Sequence, residues 1–130
     1  MPLQVELVSP ERILFSGEAE MVVARTTDGD IAFLSGHAPF IGALTEGLVM
    51  IRQVEGGDEF AAVHGGFVEV SDNHVIILSD LAEMADQIDE DRARRRIEEL
   101  DRKAIEHDDG VAEAMLRRDH VRLEVAARAR

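Results

Sequence analysis

The sequence predicts an α+β fold in two parts: an N-terminal antiparallel β-sandwich of about eight to ten short strands, then a C-terminal antiparallel α-helical hairpin. Turn residues recur roughly every 8 to 12 residues as far as residue 80, with no helical period between them. The gaps between strands are too short for the crossover helices that a parallel sheet needs. From Asp80 onward, apolar residues recur at helical spacing, which indicates helices.

The strands are predicted where apolar residues lie between turn signals. Ser9-Pro10-Glu11 and Ser16-Gly17 separate the first three strands, and Asp28-Gly29 is typical of a tight hairpin after the third. Glycine-rich residues 56–58 and polar residues 71–73 mark two later hairpins. The strands predicted on either side of these turns cover residues 3–8, 12–15, 18–26, 47–54, 59–64, 67–70 and 74–79.

A glycine-rich segment, residues 29–47, combines four glycines with Pro39 among apolar residues, a pattern of short strands and sharp turns. Pro39 has a fixed φ and no N–H to donate, and it pushes Ala38 towards an extended conformation. We therefore expect residues 36–39 to form an exposed corner that contacts a partner. Gly65-Gly66 is not followed by a helix, so it predicts a strand kink or bulge and not a phosphate cradle.

The helical part is predicted as two helices that fold back on each other after a break at residues 107–110. Asp89 and the two acids after it favour the start of the first helix, and Asp108 or Asp109 is the expected N-cap of the second. Because most residues of the apolar stripes are small, we expect the hairpin to be held weakly and to be able to open. The stripes are Ile88, Ala93, Ile97, Leu100 and Ala104 on the first helix, and Val111, Ala114, Val121 and Val125 on the second.

Charge supports the same division. Residues 1–85 hold three arginines against fourteen acids, a net charge of −11, whereas residues 86–130 hold eleven basic residues against thirteen acids, a net charge of −2. We expect a β-sandwich domain over residues 1–84 and a helical hairpin domain over residues 87–130, joined by residues 81–86. The acidic first part would be repelled by phosphate backbones, so nucleic acid is not an expected partner.

Several function classes are disfavoured by the residues. The chain has no cysteine, no apolar run near the roughly 20 residues of a membrane span and no recognisable signal peptide, so we expect a cytosolic location. Neither G-x-S-x-G nor a P-loop is present, and no catalytic residue is assigned. His37, His64 and His74 lack metal-ligand spacing and are expected to be surface or turn histidines. A small metalloenzyme using His37 or His64 is the least favoured hypothesis.

The glycine-rich segment, together with Gly65-Gly66-Phe67-Val68-Glu69-Val70, resembles the ε subunit of bacterial and chloroplast F-type ATP synthases. That family carries G-x-x-G-x-L-P-G-H-x-P followed by G-G-F-x-E-V; here Ala32 replaces a glycine and Ser35 a proline. The resemblance implies a non-catalytic subunit that couples the γ subunit to the polar loops of the c-ring, peripheral to the cytoplasmic face of the plasma membrane. It also implies partner contacts by Gly36, His37, Pro39 and Phe40.

A second resemblance concerns nucleotide. Residues 88–93 match the I/L-D-x-x-R-A motif with which some bacterial ε subunits bind ATP. In that motif Asp89 would accept a hydrogen bond from adenine, Ile88 and Ala93 would form an apolar wall, and Arg92 would bind phosphate. The family pattern adds three further positions, Glu83, Arg118 and Arg122. Glu99 departs from this pattern, since nucleotide-binding members carry arginine there. No cofactor is required, and ATP would be regulatory.

Two other hypotheses remain open for the same residues. Asp89 could serve the helix start alone, with the arginines solvated. By resemblance, the helices could instead extend into the catalytic α/β subunits and block hydrolysis, with their basic residues meeting an acidic loop of the β subunits. The alternative to a stalk subunit is a stand-alone ATP-binding sensor. The basic residues available for the β subunits are Arg92, Arg94, Arg95, Arg96, Arg117, Arg118 and Arg122.

Overall fold

A computed structural model of the protein describes the backbone of residues 1–107 and 110–130 and the side chains of residues 1–102 and 110–130. Seven strands precede two helices along these residues, with a short 3-10 turn at Ala85–Gln87 between them. The strands are β1 Leu3–Val8, β2 Ile13–Thr26, β3 Gly29–Leu34, β4 Phe40–Gln53, β5 Asp58–Ser71, β6 His74–Ser79 and β7 Ala82–Met84. The helices are α1 Glu90–His107 and α2 Gly110–Ala129.

The strands form a closed sheet. Neighbours follow the order β1, β6, β5, β4, β2, and β1 also pairs with β2, which completes a barrel-like sandwich. Outside this ring, β3 pairs with β2 and β7 pairs with β5. The pairings are antiparallel except that of β1 with β6, which is parallel. Because β1 and β6 are neighbours in space but lie near opposite ends of the domain's sequence, the strands between them along the chain make the connection and no crossover helix is needed.

The predicted β-sandwich and helical hairpin are confirmed, but the strands are fewer and longer than predicted. Ser16 and Gly17 do not break β2, since they pair with Glu6 and Val5 of β1. Pairing along a neighbouring strand therefore outweighs the local turn signal. The interior of the barrel is filled by alternate residues of each strand, among them Leu3, Val5, Leu7, Phe33, Val68 and Ile77.

β5 continues as one strand through Gly65 and Gly66, where the sequence predicts a strand kink or bulge. The two glycines have φ values of +86° and +128°, which L side chains rarely adopt. The register with β4 is unchanged on either side, with His64 opposite Glu46 and Gly66 opposite Leu44. At this point β5 changes its second pairing partner from β7 to β6. The glycines thus let one strand serve two neighbours.

The predicted hairpin between β5 and β6 is confirmed. Asp72 and Asn73 have φ values of 50° and 60°, the paired positive values of a type I′ turn. The Asp28-Gly29 hairpin is also present, with Gly29 at a φ of 114°. Both turns use residues that tolerate the left-handed region.

The helices agree with the predicted apolar stripes except at one residue of α2. Asp89 caps α1, since its Oδ1 accepts the backbone N–H of Arg92 at 3.0 Å. Val111, predicted to be buried, is 68% exposed. The prediction failed because α2 faces two partners: near its start it packs on α1, and near its end on the barrel. Ala112 and Leu116 pack with Leu100 and Ile97, while Val121 and Val125 pack with Leu48, Met50 and Ala62. Asp108, Asp109 and the side chain of Ala104 lie outside the described residues.

Gly66→Ala is expected to destabilise the barrel by at least about 2 kcal/mol. A Cβ at this position would lie 2.1 Å from the carbonyl oxygen of Leu78, on backbone of positive φ. Urea unfolding followed by far-UV circular dichroism measures the change. Gly57→Ala is the matched control, because no heavy atom lies within 4 Å of the added Cβ. Equal stability of the two variants would contradict this account.

Candidate functional site

The corner predicted at residues 36–39 joins β3 to β4 at one end of the barrel. Gly36 adopts a φ of +82°, and its N–H donates to the Oδ1 of Asn73 at 2.7 Å. The backbone N–H of His37 donates to the Leu34 carbonyl at 3.1 Å, which closes the turn. Gly36, Ala38 and Pro39 are exposed, as predicted for a contact surface. The corner is thereby fixed against the β5–β6 turn.

Aromatic rings support the corner from below. The half-buried His37 ring lies edge-on to Phe33 at 5.0 Å between centroids, and Phe33 lies 5.6 Å from Phe40. Two of the four residues predicted to contact a partner, His37 and Phe40, therefore also anchor the corner to the core. A cavity of about 650 Å³ opens beside it. It is lined by Met1, Pro2, Gln4, Glu18, Gly36, His37, Pro39, Asp72, Asn73 and His74.

An apolar row crosses the outer face of the barrel. We call it the outer row; its members are register partners on five strands, namely Ala43, Phe67, Leu78, Val8 and Ile13. Partners directly opposite each other point to the same face of a sheet. Ile13, Phe67 and Leu78 are between 52% and 61% exposed, which is high for large apolar side chains. The row is therefore a candidate protein interface.

A chain of charged side chains joins the barrel to the helices. We call it the interface network; it consists of Glu46, His64, Glu83, Arg96, Arg118, Asp119 and Arg122. His64 lies between two carboxylates, with Nδ1 2.6 Å from Glu46 and Nε2 3.3 Å from Glu83. On the barrel side of the interface, these three residues come from β4, β5 and β7.

Helix α2 completes the network. The Arg118 Nε donates to Glu46 at 3.3 Å, and the Arg122 Nε donates to Glu83 at 2.5 Å. Asp119, whose side chain is fully buried, accepts from Arg122 at 2.8 Å and from Arg96 of α1 at 2.7 Å. The network thus ties both helices to each other and to the barrel.

The pKa values in the network reflect these contacts. Burial acts to raise the pKa of Glu83, but the neighbouring His64 ring and Arg122 guanidinium outweigh it, so the pKa lies below its ordinary value. Burial acts to lower the pKa of Arg122, but hydrogen bonds to Glu83 and Asp119 raise it overall. Both groups are therefore charged at neutral pH, as an ion pair requires.

The prediction that His64 is a surface or turn histidine is wrong, since its side chain is fully buried. Sequence reasoning also missed Glu46 and Asp119, and it considered Arg96 only as a basic residue available to the β subunits. The partners of Glu46 and Arg96 lie at least 18 positions away along the chain, so local spacing carries no signal for them, whereas the Asp119–Arg122 pair at i,i+3 on α2 was a local signal left unused. In the part of the chain that is described, no group of three or more metal-ligating side chains lies close enough to hold a metal ion. Neither described helix has the length and apolar character of a membrane span.

Comparison with known proteins identifies the family. The model described as "ATP synthase, Delta/Epsilon chain, beta-sandwich domain" matches residues 2–85. The ATP synthase epsilon chain of Streptomyces griseus is 52% identical over 96 residues, 74% of this chain and 77% of the relative. The chain belongs to the family of F-type ATP synthase epsilon subunits.

Other similarities cover more of the epsilon chain. The epsilon chain of Streptomyces coelicolor is 45% identical over 115 residues, 88% of this chain and 93% of the relative. A chain in the cryo-EM structure of the Euglena gracilis mitochondrial ATP synthase, comprising OSCP, F1 and the c-ring, has a TM-score of 0.74 at 21% identity. That likeness spans 98% of this chain and 80% of the Euglena chain, and it concerns the fold.

The seven residues matched to the epsilon family's nucleotide pattern fall into two groups. Ile88, Asp89, Arg92 and Ala93 lie at the start of α1, where Arg92 is exposed and Ala93 is buried. Asp89 caps the helix, and Ile88 packs against the Val121–Val125 cluster. Glu83, Arg118 and Arg122 belong to the interface network instead. Phosphate at Arg118 or Arg122 would have to compete with carboxylates already in contact.

Asp119→Ala in this epsilon chain is expected to destabilise the helical hairpin by about 3 kcal/mol, because two guanidinium groups lose a buried carboxylate. Urea unfolding monitored by circular dichroism at 222 nm measures it, since most of this signal comes from the helices. Asp101→Ala, at an exposed position on α1, is the matched control and should change stability by less than about 0.5 kcal/mol. Similar stability of both variants would contradict a supporting role for Asp119.

Proposed function

We propose that the chain is the epsilon subunit in the central stalk of a bacterial proton-translocating F-type ATP synthase. It has no catalytic role of its own. The barrel binds the γ subunit and the polar loops of the c-ring, and the helical hairpin restrains ATP hydrolysis by reaching the α/β catalytic subunits. The subunit lies at the cytoplasmic face of the plasma membrane, held there through the complex.

The exposed apolar residues of the outer row are the main support for binding of the barrel to the γ subunit. A barrel with a net charge of −11 over residues 1–85 keeps three large apolar side chains more than half exposed on neighbouring strands. An exposed apolar row of this kind lowers the solubility of a protein unless a partner covers it. Apolar side chains near the centre of an interface supply most of its binding energy. A second feature supports the c-ring contact: the corner is exposed at its tip and fixed at its base.

The helices support the regulatory part of the proposal. Arg92, Arg95 and Arg117 are exposed, so they are available to an acidic loop while the hairpin is docked. Arg118 and Arg122 pair with carboxylates of the barrel and would become available only after release of the hairpin, whereas Arg96 pairs with Asp119 and would become available only after the two helices separate. Extension would therefore add basic residues to those already exposed.

Regulatory ATP binding is a second proposal for the hairpin. The exposed guanidinium of Arg92 at the start of α1 favours it, since a phosphate can reach that group without displacing a carboxylate. The ion pairs of Arg118 and Arg122 and the carboxylate of Glu99 oppose it. A stand-alone ATP sensor would show the same binding without affinity for γ.

Phe67→Glu is expected to weaken binding to a purified γ homologue at least about ten-fold, because it places a charge in the middle of the outer row. Binding is measured by surface plasmon resonance, with circular dichroism as a check on folding. Val54→Glu is the matched control: Val54 is also an exposed apolar residue, at 42%, but it lies on the β4–β5 turn. Equal binding of both variants, or no binding of the unchanged chain, would rule out the stalk assignment through this face.

For the nucleotide proposal, the unchanged chain is expected to release heat on titration with millimolar ATP, and Arg92→Ala is expected to lose at least about ten-fold in affinity. Asp89→Ser keeps an N-cap while removing the carboxylate, so a loss of affinity there separates adenine contact from helix capping. Arg95→Ala, another exposed arginine of α1, is the control. Absence of heat and of thermal stabilisation by ATP would end this proposal and leave the stalk role intact.

A further inference from the structure

Asp119 of α2 is bound by an arginine from each helix. Its side chain is fully buried. Arg96 of α1 donates to both of its oxygens, from Nε to Oδ2 at 2.7 Å and from Nη2 to Oδ1 at 2.9 Å. Arg122 of α2 donates from Nη1 to Oδ1 at 2.8 Å. The same carboxylate therefore takes part in closing the hairpin and in holding an arginine of the docking surface.

Arg122 is shared between the hairpin and the barrel. Besides its bond to Asp119, its Nε donates to Glu83 of β7 at 2.5 Å. The Arg122 side chain is only 14% exposed, so water does little to compensate a charge left unpaired beside it. In the docked state two carboxylates, Asp119 and Glu83, are thus neutralised by two guanidinium groups, those of Arg96 and Arg122.

This charge balance makes Arg96 matter more in the docked state than in the released state. Without its positive charge, Arg122 alone would have to neutralise both Asp119 and Glu83 while docked, which leaves a negative charge unpaired in a buried site. After release, Glu83 stays on the barrel and meets water, and Arg122 serves Asp119 alone. Losing the contact between Arg96 and Asp119 therefore shifts the equilibrium towards release.

We propose that closure of the helical hairpin and its docking on the barrel are coupled through Asp119, so that Arg96 of α1 stabilises docking by acting through α2. Such coupling is reciprocal: docking holds the two helices together to the same extent that closure favours docking. Release from the barrel and separation of the helices then accompany each other. The regulatory meaning rests on the proposed function, whereas the coupling is a property of the isolated chain.

The test measures docking in the full chain. Because the chain has no cysteine, Thr27→Cys and Ala127→Cys introduce two exposed labelling sites for a short-range fluorescence donor and acceptor. They flank the docked contact between Arg25 and Glu124, at 3.3 Å. Each variant is titrated with urea at about pH 8, where carboxylates are ionised. The docked-to-released ratios are compared at the urea concentration that releases half of the otherwise unchanged chains.

A double-mutant cycle assigns the effect to the shared arginine. Arg96→Gln keeps an N–H for Asp119 but removes the charge, and it should lower the docked-to-released ratio at least about five-fold. In a Glu83→Gln background Arg122 serves Asp119 alone in both states, so the same change should lower the ratio less than about two-fold. Arg95→Gln removes an exposed charge one position away and, as the matched control, should leave the ratio unchanged. Equal losses in the two backgrounds, or no loss from Arg96→Gln, would overturn the coupling.

A second variant keeps the test decisive should circular dichroism at 222 nm show that the helices of Arg96→Gln do not form. Leu100 is buried between the helices against Leu116, so Leu100→Glu should separate them while every residue of the interface network stays in place. The docked-to-released ratio should then fall more in the chain that keeps Glu83 than in Glu83→Gln. An equal fall in both, or no fall, overturns the coupling. Neither result depends on γ, so failure here is distinguishable from failure of the stalk assignment.

Discussion

The pairing of β1 with both β2 and β6 is the constraint on which the rest of the molecule depends. β1 lies between β2 and β6 and pairs with both, so the sheet closes into a barrel. Closure removes the free edges that an open sheet would leave at these strands. It also fixes which side chains face outward, so that the outer row on one side and the docking surface for α2 on another both follow from the same register.

Docking of the helices combines two kinds of contact that act differently. The apolar cluster around Val121 and Val125 supplies burial, which is not directional. The interface network supplies direction, since each guanidinium meets a particular carboxylate and a shifted helix would leave buried charge unpaired. Arg25–Glu124 and Arg130–Glu90 are more exposed ion pairs at the periphery and add little by comparison.

Much of the fold could be predicted from local chemistry. The turn at Asp72 and Asn73 and the start of α1 at Asp89 followed from residue types that favour left-handed backbone and N-caps. The strand break predicted at Ser16-Gly17 is wrong because these residues pair with β1. The burial predicted for Val111 is wrong because α2 packs on α1 near its start and on the barrel near its end. The continuous apolar run from Leu48 to Ile51 was an unused signal: all four residues are buried, as expected for a strand covered on both faces.

The site was less accessible to sequence reasoning than the fold. The corner at residues 36–39 could be located from Pro39 and its glycines, because the chemistry is local. The interface network could not, because His64 meets its partners only when β4, β5 and β7 lie side by side. A buried histidine between two acids has no characteristic spacing along a chain, and its environment is a product of the register.

The continuity of β5 has a mechanical consequence. Phe67 of the outer row and His64 of the interface network lie three positions apart on one unbroken strand, with the two glycines between them. A pull on Phe67 from outside acts on the backbone that carries His64, and the glycines are where that backbone yields most easily. A displacement of Phe67 is therefore taken up at the two glycines before it reaches His64 and the interface network.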